Sequence, residues 1–365
     1  MIKRILIKGF SATFFLLCMY NFGKAQITRQ FADSIRIAYN IPELNYAVVS
    51  SSKVIEMEAL GVRKYNSMNK AALTDRFRIG SNTKTITSYI ATLLVKKGLI
   101  KWETEFFDLY PELKAKSNKA YHHLTLRNLL TFRANLLSWT YTYQQPAQKK
   151  IKGNEQKQRY EFIAWILQQH PGTQKRNYYF SNPSYVAAGL MLEKVTGKDY
   201  RTLVFELGKS LEIDFGFGQP NLKNTNQTWG HNADLEPEMP ADNYKLNWLS
   251  SAGNINVTLP DYAKFIQMHL QGLEGKSTLL TAEEFNTMHY GLQDFSYGWN
   301  WYVDEVTKEK YSWHTGNPGT FFSKVFVCKE TDRAFIFFAN VGSDQVEEGI
   351  TLLFEKLKEK YNKRK

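Results

Sequence analysis

Cysteine is nearly missing from this 365-residue chain, which holds only Cys18 and Cys328. Cys18 falls in a stretch that reads as a leader, so cleavage would leave Cys328 alone and exclude an intrachain disulfide. Stability must then come from packing. Cys/His spacing of the metal-binding kind is absent as well, and neither a metal nor a cofactor is expected. The seven histidines include His122-His123, expected on the surface ahead of a helix. Beyond the first 25 residues no apolar run is long enough to span a bilayer.

Those first residues have the order of a secretory signal peptide. Lys3, Arg4 and Lys8 precede an apolar run from Gly9 to Tyr20, and Gly23-Lys24-Ala25 sets small residues before a cut at Gln26. Leu17 stands where a lipoprotein signal would need a small residue ahead of Cys18. The mature protein is therefore expected in the periplasm or outside the cell. Removing the leader takes four basic residues from 47, leaving 43 against 35 acidic ones, a net of +8. The positive charge is dispersed, with its densest run at Lys356–Lys365, so a nucleic-acid partner is not expected. Hydrophobic content of 43% and charged content of 22% fit a globular chain with a large core.

The texture changes along the chain. Asn45 to Lys64 alternates on both sides of a polar turn, which is hairpin chemistry. "SYGWNWYVDEV", "KYSWHTG" and "FFSKVFVCKETDRAFIFFANV" make three or four more strands near the other end. A closing helix carries Val346, Ile350, Leu353, Phe354 and Leu357 on one side, as packing against a sheet requires. Between Ile100 and Gly291 the spacing is helical, and Tyr141–Arg159 is the best loop or flap candidate. The expectation is an α/β (α+β) protein in one domain over 26–365. Its antiparallel sheet comes from both termini (about 26–100 and 292–365), with a helical part over about 101–291 and a cleft between the two.

Three serine–lysine pairs share one spacing. Ser50 and Lys53 lie in the hairpin, where side chains three apart point to opposite faces. Ser67 and Lys70 lie in a polar connection. Ser81 and Lys84 differ, because Ile86, Ile90, Leu93 and Leu94 follow at helical spacing and Gly98 closes the segment. On a helix, positions i and i+3 are neighbours, and the helix start offers free N–H groups to a developing anion. A serine there is ordinarily only a cap, so the chemistry needs company.

"HLTLRNLLT", "GTQKRNYYFSNPSYVAAGLMLEKVTG", "SSAGNINVTLPDYAKF" and "WHTGNPGTF" follow "FRIGSNTK" in that order. Together they resemble the serine β-lactamase and penicillin-binding-protein family, in the class C-like branch that includes D-aminopeptidases, carboxypeptidases and esterases. The likeness spans about residues 30 to 355. It implies a β-lactamase/transpeptidase-like fold with Ser81 as acylated nucleophile and Lys84 as the residue taking its proton. It further implies Asn182 in the second motif and His314-Thr315-Gly316 as the third, with Thr315 and Gly316 binding substrate. Backbone N–H groups of Ser81 and Asn317 would form an oxyanion hole. His314 is expected as a second acid or base titrating near neutrality, and Lys84 must lose its proton through burial.

Two departures stand out. Phe180-Ser181-Asn182 replaces Tyr-x-Asn, which removes the hydroxyl of a common general base unless Tyr178 or Tyr179 moves into register. Thr131–Asn135, "TFRAN", stands where the family has a His-Thr-Ser-Gly turn. The resemblance thus implies a secreted serine hydrolase or acyl-transferase acting on a small-molecule or peptide amide or ester. The alternatives are a catalytically silent binder of an envelope peptide or acylated ligand, and acyl transfer in a water-excluding cleft rimmed by Trp139, Tyr141, Tyr143 and Trp248. Substrate choice would sit in the loops Tyr141–Arg159 and Gly230–Leu249.

Overall fold

A computed structural model describes residues 28–147, 151–173, 178–241, 244–277 and 279–362. The expected leader lies outside them, as do Gln148–Lys150 of the expected flap. Nine strands follow a helix over 28–38: β1 (Glu43–Val49), β2 (Val54–Gly61), β3 (Arg76–Arg78), β4 (Gly216–Phe217), β5 (Ile255–Thr258), β6 (Asn300–Val303), β7 (Lys310–Gly316), β8 (Phe322–Cys328) and β9 (Arg333–Ala339). Six make one sheet in the order β2-β1-β9-β8-β7-β6, antiparallel throughout.

The two ends of the chain meet where β1 pairs with β9, Ala47 opposite Ile336. Strands inside such a sheet are covered on both faces, so β1 and β8 are buried along their whole length. Tyr46, Val48, Phe335 and Phe337 face the closing helix Asp344–Tyr361, whose stripe Val346, Ile350, Leu353, Phe354 and Leu357 is buried against them. Ala47, Val49, Ile336 and Phe338 face the larger helical core. In the hairpin turn, Ser50 Oγ is engaged by the backbone of Lys53, which removes that pair from catalysis.

The stretch expected to be all-helical departs from expectation in one respect. β4 and β5 lie inside it and join β3 in a second, three-stranded sheet in which β5 pairs with both neighbours. β5 is a short β-branched run, Ile255-Asn256-Val257-Thr258, too brief to show as a period beside its helical neighbours. Thr258 then caps the Leu259–Leu273 helix by accepting from Asp261 N–H. The flap is also shorter than expected, since Asn154 caps a helix over Glu155–Ile166. His123 is exposed, but His122 is half-buried with its ring 5.9 Å from that of Phe107. Among the described residues no helix is long and apolar enough to cross a membrane.

Candidate active site

The turn that carries Ser81 is pinned from two sheets. Ile79 N–H donates to the Ile255 carbonyl of β5 at 3.0 Å. The Ile79 carbonyl accepts from Ser323 Oγ of β8 at 2.8 Å, and that hydroxyl accepts from Asn82 Nδ2 at 2.7 Å. Gly80 has φ of +49°, and a Cβ there would come within 3.0 Å of Asn317 N and 2.9 Å of Pro318 Cδ. A Cβ on Gly316 would lie 1.9 Å from the Ile79 carbonyl oxygen. The end of β7 and the serine turn touch main chain to main chain, and glycine permits it on both sides. Ser81 sits in a single 3-10 turn, Gly80–Asn82, that leads into the helix Thr83–Lys96. Asn82, not Ser81, holds the helix cap position.

Lys84 is fully buried on the first turn of that helix. Its Nζ lies 2.9 Å from Ser81 Oγ, 2.8 Å from Asn182 Oδ1 and 2.6 Å from the Ala252 carbonyl oxygen. Asn182 is oriented in turn by donating Nδ2 to the Trp139 carbonyl at 3.0 Å, which points its oxygen at the lysine. Among the described residues no carboxylate lies within ion-pair distance of Lys84. Burial therefore holds it well below the usual lysine range. A neutral amine has two N–H bonds and one lone pair. The carbonyl and amide oxygens are acceptors only, so they take both protons and the lone pair is left for the Ser81 hydroxyl.

His314 corrects an expectation. It is buried on β7, and its Nδ1 lies 2.7 Å from the Gly298 carbonyl, which fixes Nδ1 as the protonated nitrogen. Burial first, and then the nearby Lys84, push its pKa down to about 3. It stays neutral and does not titrate near neutrality. Thr315 falls on the strand face opposite His314, with its hydroxyl buried and lacking a hydrogen-bond partner among the described residues. β6 pairs with residues 310–313 of β7 and no further, which leaves His314–Gly316 as an open strand edge. Asn317 follows on the surface, its Oδ1 accepting from Gly319 N–H at 2.9 Å.

Phe180 faces the lysine with its ring centroid 5.2 Å from Nζ and is 44% exposed. Neither neighbouring tyrosine takes its place. Tyr178 stacks on Phe295, centroids 5.8 Å apart, and Tyr179 packs over Gly172. Phe132 of the TFRAN segment is the hub of this wall. Its ring contacts Phe180, Tyr185 and Phe295, and its carbonyl accepts from Tyr179 N–H at 2.9 Å. Phe132 adopts φ of +59°, an uncommon conformation for a bulky residue. Trp139 and Trp248 are core rather than rim, buried around Phe162. Tyr143 is exposed, and Tyr141 donates its hydroxyl to the Pro318 carbonyl at 2.8 Å.

Ser81, Lys84, Asn182, His314 and the Asn317 backbone thus converge. Sequence reasoning missed the acceptors at Ala252, Trp139 and Gly298, because a carbonyl carries no residue-type signature. It also missed Ser323, whose partner Ile79 is 244 positions away.

A family model described as Beta-lactamase matches residues 25–357. The chain is 20% identical over 312 residues to Protein flp of Staphylococcus aureus strain NCTC 8325 / PS 47, covering 84% of this chain and 61% of that protein. Protein flp of strain MRSA252 matches with the same identity and coverage. The chain thus spans less than two thirds of these relatives. Among solved structures, the octameric penicillin-binding protein homologue from Pyrococcus abyssi is similar in fold, with a TM-score of 0.70 and 17% identity over 90% of this chain and 77% of that one.

Proposed function

Since the chain belongs to the Beta-lactamase family, we propose that it is a serine hydrolase or acyl-transferase that works through a Ser81 acyl-enzyme on a small-molecule or peptide amide or ester. One observation carries the proposal: the Lys84 amine is buried, held by the Asn182 and Ala252 oxygens and 2.9 Å from the Ser81 hydroxyl, with burial lowering its pKa. In the reaction, Lys84 takes the Ser81 proton as Oγ attacks the substrate carbonyl carbon. The Ser81 and Asn317 N–H groups stabilise the resulting oxyanion, each such donor contributing about 3–4 kcal/mol. Lys84 then returns the proton to the leaving amine or alcohol, and the acyl group remains on Oγ. No phenol stands ready to activate the incoming water, because Phe180 occupies the place beside Lys84. Acylation is therefore supported better than deacylation. The basic, apolar, small-residue order of the first 25 residues supports export and a reaction outside the cytoplasm.

A second reading rests on Phe180 alone: a silent relative that binds an acylated ligand or envelope peptide in the same cleft. Intact-protein mass spectrometry with a fluorophosphonate probe separates the two. The expected result is one adduct on the wild type and none on Ser81→Ala. A folded wild type that takes no adduct, but binds ligand, would establish the silent reading.

A further inference from the structure

Arg78, three residues before Ser81, is completely buried, and none of its three guanidinium nitrogens has a hydrogen-bond partner among the described residues. Among the described residues the one carboxylate in ion-pair distance of it is Glu238, 3.7 Å from Nη1. A guanidinium cannot shed its proton at ordinary pH, so a full charge is held in a dry place with a single loose partner. Such an arrangement is costly, and its neighbours show what it is aimed at. Glu238 accepts the Thr320 hydroxyl. Tyr141 grips the same turn independently, donating its hydroxyl to the Pro318 carbonyl at 2.8 Å. The carboxylate beside the guanidinium and this phenol therefore both hold the turn that follows β7. That turn begins at Asn317, whose amide nitrogen lies against Gly80. From below, His231 N–H donates to the Thr320 carbonyl at 2.9 Å.

We propose that Arg78 is a positioning residue for the oxyanion hole: its guanidinium holds Glu238 against the Thr320 hydroxyl, and with Tyr141 on the Pro318 carbonyl this fixes the Asn317 N–H opposite Ser81. The inference rests on the Ser81 acyl-enzyme reading. It assigns specific work to one charge, one carboxylate and one phenol from three distant segments. Arg78→Met keeps the length and apolar stem but removes the charge, while Arg78→Lys restores the charge without the fork.

Three readouts test it: kcat and KM on a chromogenic ester, inhibition by a boronic acid that mimics the tetrahedral adduct, and hydrogen exchange of peptides covering 315–321. Arg78→Met is expected to lower kcat about 10- to 100-fold with KM changed less than about twofold. Boronate affinity falls by a similar factor, exchange in 315–321 rises, and Arg78→Lys recovers part of each loss. A folded Arg78→Met with wild-type kcat and boronate affinity overturns the proposal. If Arg78→Met does not fold, the double variant Glu238→Leu/Tyr141→Phe removes the Thr320 acceptor and the Pro318 donor, and unchanged kcat and exchange in it overturn the proposal equally. A wild type without a Ser81 adduct defeats the acyl-enzyme reading instead. Exchange in 315–321 still decides the positioning claim there, because it needs no turnover.

Discussion

The two walls of the cleft are built on opposite principles. On the Ser81 side polar groups converge: Lys84 has three contacts within 2.9 Å, and the Asn182 amide is held at both ends. The facing wall is made of Phe132, Tyr178, Phe180 and Phe295, rings packed on rings. Phe180 is 44% exposed there. One wall gathers polar groups around the serine, while on the other Phe180 stands nearest Lys84 and brings no hydroxyl. Under the proposed mechanism, this contrast favours loading an acyl group over releasing it.

The largest expected effect breaks the polar wall. Lys84→Met removes the proton acceptor, and labelling of Ser81 by the fluorophosphonate should slow by about 10³-fold or more, read as adduct growth over time. Labelling within a few-fold of wild type would mean that some other group accepts the proton. Next comes the opposite change, which makes the aromatic wall more like the polar one. Phe180→Tyr puts a hydroxyl near Lys84 and should speed loss of the acyl group about 10²-fold while the acylation rate moves little. Pulse-chase mass spectrometry of a Ser81 ester adduct measures both, and an unchanged lifetime would show that the missing hydroxyl is not what limits release.

Smaller effects lie in pH. Lys84 is held low, so acylation should rise with pH through an inflection below the usual lysine range, and His314 should add no inflection near 6.5. A rate profile that bends at 6.5 and loses the bend in His314→Gln would refute this. Stability follows the same groups. His269 and His314, both pushed down to about 3 by burial, are neutral when folded but take protons when unfolded below about 6.5. Their contribution is therefore intact above 6.5 and is lost as pH falls toward 3. The thermal midpoint should drop across that window, less steeply in His269→Gln. Identical slopes would remove histidine from the explanation.

Much of the polar wall was legible in the sequence, since Ser81 and Lys84 share a helix face and Asn182 opens a second helix. Phe180 was legible as a missing hydroxyl, though only the fold shows it facing Lys84 while Tyr178 and Tyr179 are packed elsewhere. His314 could not be read correctly, because its protonation depends on burial and on the Gly298 carbonyl, neither of which is local. Trp139 and Trp248 were open between cleft rim and core for the same reason: an aromatic residue in a loop-like stretch carries no mark of which way it faces. The short strands β4 and β5 were missed because two to four residues are too few to show a period.

The hydrogen bond from Ser323 to Ile79 spans 244 positions, and it sets an order of events. A chain made from its N-terminus has its serine and lysine long before β8 exists. Until the last strands arrive, the Ser81 turn lacks the hydroxyl that pins it and the strand end that completes its anion pocket. Contacts of such separation form late and slowly. If Ser81 is the nucleophile, as proposed, a product truncated before β8 carries the motif without the bond that pins its turn.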